Sequence, residues 1–173
     1  AIDKIKPVFN GQINYQKWYL LKHESFKGSF KEDAEIFKEL FNQSVKEHLN
    51  ADVLVGTALS GGLDSSSIVC EVNRILRTNG KLELQKTFSS CSVDERYSEK
   101  NWIDIVINHT KADAHFSYPN LEELFSLTSD IIWHQDEPYQ SQSAFLAYNL
   151  YSLASENGVK VLLNGHGAYE NIG

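Results

Sequence analysis

The sequence predicts an α/β fold, a doubly wound parallel sheet with helices on both faces. Three observations carry that expectation. The apolar runs Val53 to Leu59 and Val159 to Leu163 lack polar alternation, as strands covered on both faces do. Each run leads at once into a glycine-bearing loop, Gly61-Gly62 after the first and Gly165 after the second. Between them, helical and strand-like stretches alternate at lengths suited to right-handed β-α-β crossovers.

The elements follow in order. Ser29-Phe30-Lys31-Glu32 has the form of a capping box, and Phe37, Phe41, Val45 and Leu49 then recur at helical spacing, giving an amphipathic helix that ends before Asn50. After the strand at Val53 to Leu59 and its loop, Ile68, Val72, Ile75 and Leu76 share one helical face until Asn79-Gly80 supplies a stop. The alternation repeats with a strand at Gln85 to Cys91, a helix at Ser98 to His109 and a strand at Ala114 to Tyr118. A helix entered at Asn120 runs to Trp133, and another from Ala144 to Glu156 closes at Asn157-Gly158 before the last strand. Residues 1–30, with Tyr15, Trp18 and Tyr19, read as a lead-in arm, and residues 31–173 as the catalytic domain, C-terminally incomplete.

A chain of 173 residues with 42% apolar content has enough material for one substantial core. Its formal charge of −7 and scattered basic residues give no electrostatic footprint for nucleic acid, so small-molecule chemistry is expected. Apolar stretches fall well short of the roughly 18 residues that suggest a membrane span, and Ala1 to Lys6 is no signal peptide, so a cytoplasmic location is the expectation. Cys70 and Cys91 show neither Cys-x-x-Cys spacing nor a His pair to complete a zinc site, and read as buried thiols of a reducing compartment.

The run Ser60-Gly61-Gly62-Leu63-Asp64-Ser65-Ser66 carries the chemistry. Paired glycines let backbone approach an anion, and the helix that begins directly afterwards points unpaired N–H groups at it. The hydroxyls of Ser60, Ser65 and Ser66 are uncharged donors to phosphate oxygens. A lone carboxylate, Asp64, would repel polyphosphate unless it held Mg2+, which takes oxygen ligands and bridges to phosphates. The run is not a Walker A loop, since no lysine follows the glycines to reach a γ-phosphate. Holding the β- and γ-phosphates as a unit favours attack at the α-phosphorus, with release of pyrophosphate. The bland alternative is a strand-to-helix turn that merely needs glycines and a serine.

This loop resembles that of the N-type ATP pyrophosphatases. Asp52 to Leu59 ahead of it, His134-Gln135-Asp136-Glu137-Pro138 with Ser143 and Tyr148 behind it, and Val161 to Ala168 all resemble the synthetase domain of glutamine-dependent asparagine synthetases, with matching order from about Trp18 to Ala168. The resemblance implies an adenine nucleotide alpha-hydrolase-like fold, ATP and Mg2+ as cofactors, and adenosine beside Leu59, Phe88, Ser90 and Gly165. It further implies amide formation, in which a small-molecule carboxylate is adenylated and ammonia or an amine displaces AMP. A glutaminase domain, upstream or in trans, would supply the ammonia. Relatives of the β-lactam or lasso-peptide cyclase type, and a degenerate nucleotide-binding module without turnover, are the alternatives.

The second loop departs from the family pattern Gly-x-Gly-Ala-Asp-Glu, where x is usually acidic or Gln and the Asp joins the first-loop Asp on magnesium. Here x is His166, and Tyr169 follows Ala168. Read literally, a metal ligand is lost, because phenol substitutes poorly for carboxylate on Mg2+. A second alignment matches Tyr169-Glu170-Asn171 to a later tyrosine and leaves about six family residues without counterparts after Ala168, as loop tips allow. His166, flanked by glycines, reads as a substrate or phosphate contact and a candidate base. Asp136 and Glu137 read equally as substrate-side acids or a helix-end device. Glutaminase domains of the family open on a catalytic cysteine, whereas no cysteine precedes Cys70 here, and the sequence stops after the second loop, so the chain is expected to be a fragment of a longer enzyme.

Overall fold

The computed structural model describes residues 3–6, 14–17, 19–20, 28–81, 85–139 and 141–168. Trp18, His23 and Tyr169 to Asn171 lie outside them, so both alignments of the second loop beyond Ala168 do too. The chain divides into two compact units, Ala1–Lys38 and Glu39–Gly173.

In the first unit, β1 (Asp3–Lys6) pairs antiparallel with β2 (Asn14–Lys17). Helix α1 (Phe30–His48) begins there with the capping box that the sequence predicts. The Ser29 N–H and hydroxyl both donate to Glu32 Oε2 at 2.8 Å, and the Glu32 N–H donates back to Ser29 Oγ at 3.4 Å. Those bonds, the backbone N–H first, hold the Glu32 carboxyl below its usual range.

The second unit is built on a parallel sheet of β3 (Val55–Ala58), β4 (Lys86–Ser90), β5 (Asp113–Ser117) and β6 (Val161–Leu163), in the order β5-β4-β3-β6. Successive strands step outward from β3 to β5, and the chain then returns to the opposite side of β3. Strand order therefore reverses between β3 and β6, the place where ligands of such sheets bind. Helix α2 (Leu63–Thr78) joins β3 to β4, and α3 (Lys100–Thr110) joins β4 to β5. Helices α4 (Leu121–Gln135) and α5 (Ser143–Glu156) make the return to β6.

The pleat sends alternate strand residues into opposite layers, and both layers are covered. Leu163 packs with Val45 of α1 and Val72 and Ile75 of α2. Its neighbour Leu162 joins Phe88, Ala154 and Val159 beneath α5. A third cluster sets Leu59, Val69 and Cys91 against Ile103 and Val106 of α3. The predicted fold class is the observed one. The predicted termini hold as well: α2 stops at Asn79 with Gly80 at φ +65°, Asn120 caps α4 by accepting from Glu122 N–H, and α5 closes at Asn157-Gly158. Strands β3 and β6 are shorter than predicted, because Val53 is exposed and only Val161 to Leu163 pairs with β3.

One buried polar network ties α2 to the foot of β4 and to the end of α3. Asn73 Nδ2 donates to Gln85 Oε1 at 2.6 Å and to the Thr110 carbonyl at 2.8 Å, while Gln85 Nε2 donates to the Val69 carbonyl at 2.9 Å. Satisfied buried groups of this kind fix one arrangement of the elements that carry them.

Candidate functional site

The first loop leaves β3 with its ladder extended by one rung, the Leu59 N–H donating to the Phe88 carbonyl at 2.9 Å. The Ser89 hydroxyl donates to the Leu59 carbonyl at 2.7 Å, so the strand end that launches the loop is fixed from the side. Ser65, buried in the first turn of α2, then braces the loop from within. Its hydroxyl accepts from the Ser60 N–H at 3.2 Å, lies 3.1 Å from the Ser60 hydroxyl, and donates to the Gly62 carbonyl at 3.2 Å. The cap residue of α2 is Gly62 and no side chain caps it, which leaves the first N–H groups of the helix open to an anion. Asp64 is exposed in that first turn.

Gly61 adopts φ +85°, and a Cβ there would stand 2.7 Å from the Trp102 Cβ and 3.1 Å from the Ile103 nitrogen. The glycine is demanded by α3 behind the loop as well as by backbone conformation. The Ser66 hydroxyl is buried without a partner, and Ser66 is not among the residues that line the cavity described below.

The second loop leaves β6 beside the first. A Cβ on Gly165 would meet the Asp64 Cβ at 2.9 Å and the Ser65 nitrogen at 3.2 Å, so only glycine lets the loops close on each other. The His166 N–H donates to Asn164 Oδ1 at 3.1 Å, and Gly167 takes φ +88°. The turn holds the His166 side chain exposed.

These loops bound a cavity of about 570 Å³. Ser60, Gly62, Asp64 and Ser65 line one side, and Asn164 to Gly167 line the adjoining one. Leu59, Phe88 and Ser90 come from the ends of β3 and β4. The fourth wall is one face of α5, with Ser143, Leu146, Ala147, Leu150 and Tyr151. Nine of the predicted site residues meet here, and Gly61 and Ser66 stand off the wall. Phe88 lines the cavity, yet is wholly buried in the α5 layer.

The α5 wall was missed as a site element, although its i, i+3, i+4, i+7, i+8 spacing was visible. An apolar helix face reads as core until the sheet end it overhangs is known. Asp136 sits at the end of α4 with φ +60° and is not among the cavity residues, which favours its helix-end reading. Tyr148 likewise faces elsewhere, edge-on to His134 with ring centroids 5.6 Å apart. Cys70 and Cys91 are free thiols, and burial raises the pKa of both.

Among the described residues no group of three or more His, Cys, Asp or Glu forms a metal cage. A single exposed carboxylate beside open helix N–H groups fits Mg2+ delivered with polyphosphate, since that ion keeps waters and needs one or two carboxylates. No described helix is long and apolar enough to cross a membrane.

A family model described as Asparagine synthase matches residues 37–173. The chain belongs to that family. A putative glutamine-hydrolyzing asparagine synthetase of Methanocaldococcus jannaschii is 32% identical over 160 residues, covering 91% of this chain and 30% of its own length. The glutamine-hydrolyzing asparagine synthetase 1 of Bacillus subtilis is 34% identical over 158 residues, covering 86% and 23%. An amidase of Penicillium rubens is 29% identical over 146 residues, covering 75% and 21%. The chain thus spans under a third of the length of these relatives. A solved ammonia-dependent NAD synthetase of Campylobacter jejuni is similar with a TM-score of 0.48 at 16% identity, over 73% of this chain and 54% of that one. The asparagine synthase family is one of ATP-dependent ligases, and residues of both glycine loops of this chain line the cavity.

Proposed function

We propose that this chain is the synthetase part of an amide ligase that splits ATP into AMP and pyrophosphate. The observation that carries the reading is the closure of Gly165 onto Asp64 and Ser65, which makes one cavity of two loops at the sheet's reversal point. The Ser60 to Ser66 loop and the open start of α2 hold the pyrophosphate end. Leu59, Phe88, Ser90 and Gly165 receive the adenosine. Asp64 holds Mg2+, which neutralises phosphate charge when bound.

No lysine or arginine lines the cavity among the described residues, so nothing there would draw the reaction to the γ-phosphate as a P-loop lysine does. With pyrophosphate as the leaving group, the proposed point of attack is then the α-phosphorus. A small-molecule carboxylate attacks it, AMP is carried on the acyl group, and ammonia or an amine displaces it. Chain residues contribute by placement and by directed N–H dipoles. His166, exposed and among the cavity residues, is the group proposed to meet the acceptor or the phosphate. A glutaminase domain, in the same polypeptide or in trans, is the proposed source of ammonia. Free thiols at Cys70 and Cys91 accord with a cytoplasmic enzyme.

The test is product identity. The intact protein, given Mg-ATP, ammonia and a panel of carboxylic acids including aspartate, should form AMP and pyrophosphate in proportion with one acid or class of acids. Release of ADP and phosphate, or no acid-dependent turnover at all, would refute it.

A further inference from the structure

One cavity residue, Phe88, is stacked against an ionisable cluster that the proposed reaction does not use. The Phe88 ring, with no exposed surface, lies parallel to the His115 imidazole, with centroids 5.0 Å apart and planes at 14°. The two residues are direct register partners on β4 and β5, so their side chains rise from the same face of the sheet. On its other flank the Phe88 ring abuts Gly56, where a Cβ would stand 2.8 Å from Phe88 Cε2. The ring also packs among Ala154, Val159 and Leu162, and His115 is the flat ring stacked against it.

His115 is itself held. Its Nε2 lies 3.1 Å from Asp113 Oδ2, and Lys86 Nζ stands 3.9 Å from the same oxygen while donating to the Asn157 carbonyl at 3.2 Å. Asp113 is two residues from His115 on one strand, hence on the same face. A carboxylate thus contacts the imidazole, the imidazole stacks on the phenyl ring, and Phe88 is one of the residues that line the cavity.

We propose that His115 is a positioning residue for the nucleotide site, setting through its stack on Phe88 how tightly the cavity binds adenine nucleotide, with Asp113 fixing the imidazole plane. The inference rests on the cavity being a nucleotide site, as proposed above. Aromatic pairs contribute about 0.5–1.5 kcal/mol beyond burial, which caps the effect of losing the stack at about two- to twelvefold.

The experiment measures ATP affinity by titration calorimetry in the intact protein, for the unsubstituted chain and for His115→Ala, His115→Phe and Asp113→Asn, with circular dichroism and thermal unfolding run on each. His115→Ala should weaken ATP binding about three- to tenfold, while His115→Phe, which keeps a flat ring against Phe88, should restore it to within about twofold. Asp113→Asn should fall between the two. In steady state, His115→Ala should raise KM for ATP and leave kcat unchanged, a split that general destabilisation does not produce. Unaltered ATP affinity in His115→Ala would overturn the proposal, as would equal losses in the Ala and Phe variants. If the unsubstituted protein binds no ATP, the nucleotide reading itself fails, and that result is distinct from either.

Discussion

Gly165 lies so close to Asp64 that a Cβ on the glycine would stand 2.9 Å from the aspartate Cβ. One contact joins the ends of β3 and β6, strands whose loops are about a hundred residues apart in sequence, and it forbids any side chain at the junction. Gly165→Ala should therefore unfold at lower denaturant, by about 1–3 kcal/mol, because the clash is partly with rigid backbone at Asp64 and Ser65. Acid-dependent pyrophosphate release should fall further than the loss of folded protein accounts for. An alanine variant with unchanged urea midpoint and turnover would show that the loops are not packed in this way.

The first loop makes a parallel prediction for a different reason. Gly61→Ala combines a φ of +85° with a Cβ 2.7 Å from that of Trp102, and should cost about 1–3 kcal/mol in the urea midpoint. Gly62→Ala, whose Cβ would meet nothing nearer than Ser60 Oγ at 3.4 Å, should cost less than Gly61→Ala. Equal effects would place the strain elsewhere.

Much of this was legible. The glycine loops, the capping box at Ser29 and the helix stops at Asn79-Gly80 and Asn157-Gly158 are local events, written in residues next to one another. The reason for Gly61 was not, because Trp102 reaches it across a crossover. Nor was the second role of α5, where Leu146 and Tyr151 look like core residues yet open onto a cavity set by strand order. Phe37, counted in the apolar stripe of α1, is half exposed while Phe41 and Val45 pack inward, since a stripe's periodicity does not say where its cover ends.

Adjacent serines should separate cleanly. Ser65→Ala removes a buried hydroxyl that bridges Ser60 and Gly62 and should cost about 1–3 kcal/mol, with a loss of ATP affinity as the loop relaxes. Ser66→Ala removes a buried hydroxyl without a partner and should change stability by less than about 0.5 kcal/mol. Unaltered KM for ATP in the Ser66 variant would confirm that its hydroxyl is closed off from the cavity. A rise in KM there with stability intact would return Ser66 to the phosphate site.

Burial, more than any neighbouring charge, raises the Cys91 thiol above its ordinary 9.0, and burial raises Cys70 likewise. A group with a raised native pKa keeps its proton in the folded chain after the unfolded chain has lost it. Its contribution is complete below the unfolded value and disappears as pH climbs through the native one. Urea midpoints should accordingly hold up to about pH 9 and decline above it, and a Cys70→Ala, Cys91→Ala double variant should show a shallower decline. An identical decline in the double variant would assign the alkaline loss to other groups.

The central claim is that the Asp64 and Gly165 loops form one AMP-forming site, and it is tested most directly by Asp64→Asn. That substitution keeps the shape of an exposed side chain in the first turn of α2 and removes its charge. The measurement is carboxylate-dependent pyrophosphate release from Mg-ATP by the intact protein, with circular dichroism and thermal unfolding recorded beside it. An unchanged fold and pyrophosphate release reduced to background are expected. Release at the unsubstituted rate from the correctly folded variant would contradict the claim.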